Sequence, residues 1–325
     1  MAFASVLGHQ RIKELFEAAL RQRRLRSALL LAGPDGVGKK MLALEVGRAL
    51  VCQSGDGEPC GRCAACSRSA RGIHPDLQLV VPEGNSIKIE QVREVVREIL
   101  GRPFEARARA FVIDDAHLMT EQAANALLKS LEEPPPTSHV FLVTASPQAL
   151  LPTIRSRCQT LRFSGLPLGL IETHLRESSG IPAEEAHLRA QLSGGSLRAA
   201  FDFEADAYRG LRDSVLELLE NRGGSVLERM AAADRLAEAG EPALALTGFR
   251  SLLRDVAALS AGAEPERLLN ADLAPRLSRL AAGPLGSRAG ALAEAAGEAR
   301  AALEVKANKQ LTLDALLDAL AAAGA

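Results

Sequence analysis

Five short apolar runs interrupt the first half of the chain, each too brief for a buried helix. They are "SALLLAG" (Ser27 to Gly33), "LQLVV" (Leu77 to Val81), "RAFVIDD" (Arg109 to Asp115), "HVFLVTA" (His139 to Ala145) and "QTLRF" (Gln159 to Phe163). Their continuous rather than alternating hydrophobicity predicts strands covered on both faces. Between them apolar residues recur at helical spacing. Ile12, Leu15, Phe16, Ala19 and Leu20 line one face of a helix predicted over His9 to Leu25, and further helices are expected at Lys39 to Val51, Ile89 to Leu100 and Glu121 to Leu131. The last is stopped by "EEPPP" (Glu132 to Pro136), since proline cannot continue a helix. Strands alternating with helices imply a mostly parallel sheet with helices on both sides, spanning residues 1–165.

After Leu166 the strand pattern ends and Ala, Leu, Glu and Arg recur at helical spacing to the last residue. A small helical unit over 166–206, punctuated by "SGGSLRAA" (Ser193 to Ala200), and a larger all-helical unit over 207–325 are expected. The turn-rich breaks "AGAEPER" and "AAGPLGSRAG" divide the larger unit, and "LDALLDALAAA" (Leu313 to Ala323) reads as a packed terminal helix.

The turn after the first strand is "GPDGVGKK" (Gly33 to Lys40). It carries the G-x-x-x-x-G-K of a phosphate-binding loop, in which Gly33, Gly36 and Gly38 let backbone N–H groups curl around an anion at a helix N-terminus and Lys39 reaches the outer phosphates. The next position normally holds Ser or Thr, whose hydroxyl ligates Mg²⁺. Here it is Lys40, and an ammonium has no lone pair to offer. The strand at Phe111 ends in Asp114 and Asp115. In P-loop NTPases the first such acid holds the metal and the second polarises water; Asp115 is one methylene shorter than the Glu common there. Solvated strand ends or caps are the alternative for two such acids.

Cys52, Cys60, Cys63 and Cys66 follow C-x7-C-x2-C-x2-C. Four thiolates at these spacings can close a tetrahedral Zn²⁺ site of the structural kind, within a module of about residues 52–66. Cys158 stands apart and is expected to be a core thiol.

Composition narrows the function classes. Among 325 residues, Lys+Arg 39 against Asp+Glu 40 leaves a net charge of -1, so no global attraction to nucleic acid or an anionic membrane is expected. Aromatic content of 3% argues against a base-stacking platform. No apolar run is long enough to span a bilayer and the N-terminus does not read as a secretory signal, so a cytoplasmic location is expected.

Taken together, the P-loop, the four-Cys insertion behind its helix, the acidic strand end, "NALLKSLEEPPP" (Asn125 to Pro136) and "TIRSRCQTLRF" (Thr153 to Phe163) resemble the bacterial clamp-loader AAA+ proteins of DNA polymerase III. "VLGHQ" (Val6 to Gln10), "HPDLQLV" (His74 to Val80) and "KANKQLTLDALL" (Lys306 to Leu317) run the same way, so the resemblance covers nearly the whole chain. It implies a RecA-like AAA+ P-loop domain with a zinc insertion, a helical lid, and an all-α collar that oligomerises. The gamma/tau motor members have Ser or Thr after the loop lysine and Glu second in the acidic motif. This sequence departs from both and resembles the delta-prime branch more, as its length also leads one to expect.

The resemblance further implies that Arg157, in Ser156-Arg157-Cys158, projects in trans into a neighbouring motor subunit's ATP site, where a guanidinium neutralises charge on the transferred phosphoryl group. It makes Thr144 a candidate γ-phosphate sensor, although a strand threonine is more often structural. Arg198 is a candidate lid arginine, and Val6 and Leu7 are candidates for an adenine pocket. Arg93 and Arg97, four apart on one helix, face either DNA phosphates or their own glutamates. The implied partners are the gamma/tau motor subunits and the delta subunit in a five-membered ring, with the sliding clamp and primer-template DNA. ATP or ADP with Mg²⁺ is left open as a ligand of this chain. Two rival readings are a hydrolysing motor subunit and, from another class, a zinc-dependent nucleic-acid-binding module.

Overall fold

All five apolar runs pair into one sheet. In a computed structural model of the protein, which describes residues 3–54, 57–221, 225, 227–228, 230–231, 234, 242–304 and 308–322, β1 (Ala28–Ala32), β2 (Leu77–Val80), β3 (Arg109–Ile113), β4 (Ser138–Thr144) and β5 (Gln159–Arg162) are all parallel, in the order β2-β3-β4-β1-β5. Every residue of β1, β3 and β4 is buried, as continuous rather than alternating hydrophobicity requires.

Successive residues point to opposite faces, so the sheet organises two cores. Leu29, Leu31, Val112, Phe141 and Val143 pack on one side with Phe16 of α1 (Gln10–Arg21) and Leu42 and Val46 of α2 (Lys39–Val51). Leu30, Phe111, Ile113, Val140 and Leu142 pack on the other with Val92 and Ile99 of α4 (Ile89–Ile99) and Leu127 of α5 (Glu121–Glu132). A short helix, α3 (Ala64–Ala70), follows the cysteine insertion, and α6 (Pro152–Arg155) precedes β5; the sequence pattern predicts neither. Cys158 is buried in the second core, and burial pushes its thiol up to about 12.

The structure shortens several expected elements. Helix α1 ends at Arg21 instead of Leu25, because Arg23 adopts a left-handed conformation (φ 54) that a helix cannot contain, and Leu15 is left exposed. Strand β3 stops at Ile113, so Asp114 and Asp115 lie beyond it in a turn.

The described chain divides into two compact units, one of residues 1–186 with 193–201, the other of 187–192 with 202–325. After β5 it contains no strand among the described residues. In the first unit, α7 (Leu168–Ser179), the start of α8 (Ala183–Leu192) and most of α9 (Leu197–Asp202) follow the sheet. In the second, α10 (Ala205–Glu220), α11 (Pro242–Ser260), α12 (Ala274–Ala281), α13 (Ala289–Glu304) and α14 (Lys309–Ala322) bury one leucine-rich core that includes Leu216, Phe249, Leu252, Leu277, Leu313 and Leu317. Its polar interior is paired: Tyr208 Oη lies 2.6 Å from Ser251 Oγ, and Arg212 donates to both carboxylate oxygens of Asp272. The motif residues Lys306 and Ala307, and Ala323 of the terminal helix pattern, fall outside the described residues.

His139, on β4, is buried with Nδ1 3.2 Å from the Arg26 carbonyl oxygen. Burial lowers its pKa from the ordinary 6.5, more than that hydrogen bond raises it. Above pH 6.5 the ring is neutral folded and unfolded; below it the unfolded chain takes a proton that the folded one resists, so stability falls until the folded-state pKa is passed. Denaturant unfolding between pH 6.5 and lower values should therefore show a smaller loss of stability for His139→Gln than for the natural chain; equal losses would remove His139 from this account.

Candidate functional site

The carboxyl ends of β1, β3 and β4 lie side by side, the place where open parallel sheets hold ligands. The loop 33–38 follows β1, the two acids follow β3, and β4 between them ends in Thr144, level with Ala32. Helix α2 begins at Lys39 directly after Gly38, whose φ of 99 leads the loop into the helix. Gly36 has φ 70, and a Cβ there would lie 2.2 Å from Ser196 Oγ and 2.6 Å from Arg198 Cβ. Leu197 and Arg198 donate their backbone N–H groups to the Gly36 carbonyl at 3.1 and 3.4 Å. The glycine therefore has a packing reason as well as a phosphate-cradling one. So has Gly33 (φ 156), where a Cβ would meet the Phe163 carbonyl oxygen at 2.2 Å.

Lys39 is buried, with Nζ donating to the Pro34 carbonyl at 2.5 Å. Burial lowers its pKa against the pull of Asp35, Asp114 and Asp115. Lys40 Nζ lies 2.8 Å from Asp114 Oδ2, an ion pair in which the acid is the more enclosed partner. Asp115 turns the chain in a left-handed conformation (φ 46), and burial, then the Asp114 charge, raises its carboxyl pKa. Thr144 is fully buried; its hydroxyl lies 3.2 Å from His117 Nδ1 and accepts from the Ser146 N–H at 3.0 Å.

Lys40 pairing with Asp114, and His117 with Thr144, are not legible from spacing, because the first spans the end of β4 between β1 and β3 and the second joins neighbouring β3 and β4. Position "H" in "FVIDDAH" was the one available signal for His117. Arg198 is exposed, with Nη1 3.7 Å from Asp35 of the loop. Val6 is buried and its carbonyl accepts from Lys13 Nζ; Leu7 is half-buried. Arg97 lies 3.9 Å from Glu94 on the same exposed face of α4.

Arg157 sits between α6 and β5, away from the loop in sequence but within the same unit. Cys158 is buried, so the neighbouring arginine points outward, and Ser156 Oγ is tied to the Thr153 carbonyl at 3.1 Å. The guanidinium donates Nε to Glu132 Oε1 at 2.7 Å, with Nη2 on the same oxygen, and Nη1 to the Thr153 carbonyl at 2.9 Å. In the sequence Glu132 reads only as part of a helix stop; the structure makes it the holder of Arg157.

The four cysteines converge although their elements differ. Cys52 closes α2, Cys63 caps α3 by accepting from the Cys66 N–H, and Cys66 lies within α3. All four sulfurs lie within 4.8 Å of one another, and those of Cys60 and Cys66 are 3.9 Å apart. A tetrahedron with Zn–S of about 2.3 Å has S–S edges of about 3.8 Å, so the donor set fits zinc. The Arg62 and Cys63 N–H groups lower the Cys60 pKa, whereas burial raises that of Cys66. Zinc held by four thiolates has no position left for water and supplies folding free energy rather than catalysis. Beside the cluster, buried Asp76 of "HPDLQLV" accepts from the N–H groups of Phe104, Glu105 and Ala106 at 2.7 to 2.9 Å and lies 3.2 Å from Arg109 Nε, which ties that loop to β2.

Known proteins are similar in sequence to the first part of this chain. Residues 8–167 match the family model described as "DNA polymerase III, delta subunit". The chain is 38% identical over 210 residues to the DNA polymerase III subunit delta′ of Bacillus subtilis, covering 65% of this chain and 64% of that one. With the delta′ subunit of Pseudomonas aeruginosa the figures are 36% over 216 residues, 65% and 64%. A tau/gamma subunit of Haemophilus influenzae is 34% identical over 202 residues, 60% of this chain and 29% of the relative. The chain thus spans just under two thirds of the length of the two delta′ relatives.

Cys60→Ser should lose the bound zinc, read by elemental analysis of the purified chain, and lower the thermal midpoint of its unit by about 2–4 °C for each kcal/mol of stability lost. Cys158→Ser, remote from the cluster, should keep the metal. Equal zinc content in Cys60→Ser and the natural chain would exclude the four-thiolate site.

Proposed function

Given that the chain belongs to the DNA polymerase III delta-prime family of clamp-loader proteins, we propose that it is the stator of a clamp-loader ring: a subunit that shapes the assembly and assists a neighbour's ATP hydrolysis without hydrolysing ATP itself. The observation that carries this reading is the Lys40–Asp114 ion pair, which stands where a motor subunit needs a hydroxyl and a free carboxylate for magnesium. In the proposed organisation, residues 1–165 form the AAA+ domain, 166–206 the lid, and 207–325 the collar that joins the subunits.

Arg157 would act on another chain. It is partly exposed, is carried on a segment anchored by buried Cys158, and is held by Glu132 and the Thr153 carbonyl. To meet a phosphoryl group it exchanges one carboxylate for another anion, which keeps the guanidinium paired in both states. The adjoining motor subunit supplies the nucleotide and metal. The other partners proposed are the delta subunit, the sliding clamp and primer-template DNA, with the ring opening the clamp and placing it on primed DNA. Fold and chemistry are thereby separated: the P-loop architecture serves shape here.

The test is reconstitution with gamma/tau and delta subunits, with Arg157→Ala compared against the natural chain. The variant should still enter the ring, seen by gel filtration, while DNA- and clamp-stimulated ATPase falls several-fold. An arginine donated in trans is worth about 10³–10⁵ at the site it serves, so an unchanged rate would count against the role.

A further inference from the structure

Lys40 occupies the first turn of α2, where the helix dipole disfavours a positive charge and where phosphate-binding loops otherwise gather anions. Its ammonium lies 2.8 Å from Asp114 Oδ2, and the Asp114 side chain is only 14% exposed. An ammonium carries three N–H donors and no acceptor. The ion pair with Asp114 engages one side of the ammonium, and the side chain, 48% exposed, leaves the other side accessible. Lys39, the neighbouring ammonium, is buried against the loop carbonyl of Pro34.

Magnesium does not fit this arrangement. The oxygen ligand it would take from the position after the loop lysine is missing, the carboxylate that would orient its water is already neutralised, and two ammonium groups flank the space. The substitution thus does more than delete a ligand: it installs a positive charge, tethered by the chain, at the place of the ion.

We infer that Lys40 is a resident cation replacing magnesium, so that this loop takes up the phosphates of a nucleoside di- or triphosphate without a divalent metal. The inference rests on the reading of 33–40 as a phosphate loop, and goes beyond the stator proposal in specifying what that loop holds and under which condition. Lys39 and the exposed side of the Lys40 ammonium donate to phosphate oxygens, while Asp114 stays paired with Lys40. Without a metal there is no polarised bridge between the outer phosphates, and Asp115, one methylene shorter than the Glu common at that position, reaches less far towards an attacking water. Nucleotide becomes a structural ligand of the subunit.

The experiment is calorimetric titration of the full-length, zinc-loaded chain with ADP and with ATPγS, in magnesium-containing buffer and in metal-depleted buffer free of chelators, which would strip the zinc. The natural chain should bind with dissociation constants that agree within about two-fold between the two buffers. Lys40→Thr restores the hydroxyl and frees Asp114, and should bind about ten-fold or more tightly with magnesium than without. Asp114→Asn should keep the metal-free affinity of the natural chain, because Lys40 remains. Ten-fold weaker binding by the natural chain without magnesium, or no binding in either buffer, would overturn the inference. The stator proposal has a separate readout, the ATPase of the assembled ring with Arg157→Ala, so its failure and the failure of this inference are distinguishable.

Discussion

A parallel sheet buried on both faces leaves its polar business to one edge. Strands β1, β3 and β4 have no solvent-facing residue, so the charges that the chain carries between them can emerge only where the strands end. Sheet order then determines who meets whom. With β4 between β1 and β3, the glycine loop, Thr144 and the acids Asp114 and Asp115 open into one crevice at the carboxyl end. What the crevice does depends on which charges it contains.

In this chain the crevice is paired internally at the position of a metal. Lys40 pairs with Asp114, Lys39 donates to the Pro34 carbonyl, and His117 lies against Thr144, so the carboxylate that a motor subunit holds ready for metal is engaged while the Lys40 side chain stays half exposed. The opposite design governs Arg157. Cys158 anchors the segment in the core while the preceding arginine faces outward, held by Glu132 on the end of α5. An inward-looking pocket together with an outward-looking arginine is what a subunit needs if it assists chemistry that takes place on its neighbour. The four-cysteine cluster, whose geometry fits zinc, closes the insertion between α2 and α3, whose short length gives it little apolar surface of its own to bury.

Much of the fold was legible because continuous apolar runs and helical spacing report burial directly. All five strands and the helices at Lys39 and Glu121 fall within a residue or two of their expected positions. Element ends were less so. Arg23 and Asp115 take left-handed conformations, tolerated by Asp but unusual for Arg, and each ends or redirects an element earlier than hydrophobicity suggests. The cysteine cluster was legible from spacing, since four sulfurs so near in sequence need only local turns to converge. The pairings Lys40–Asp114, Thr144–His117 and Arg157–Glu132 were not. Each joins residues far apart in the chain through side-chain reach, and that is set by strand order and register. Gly33 and Gly36 show the converse case, in which residues assigned to phosphate by motif prove to be needed for packing as well.

The central claim is that the Lys40–Asp114 pair leaves this chain without hydrolytic chemistry of its own. It is tested most directly by measuring phosphate release from ATP by the isolated, zinc-loaded chain in magnesium, alongside Lys39→Ala. The account predicts no turnover above the Lys39→Ala background. Steady hydrolysis by the natural chain that disappears in Lys39→Ala would contradict it and make this subunit a motor.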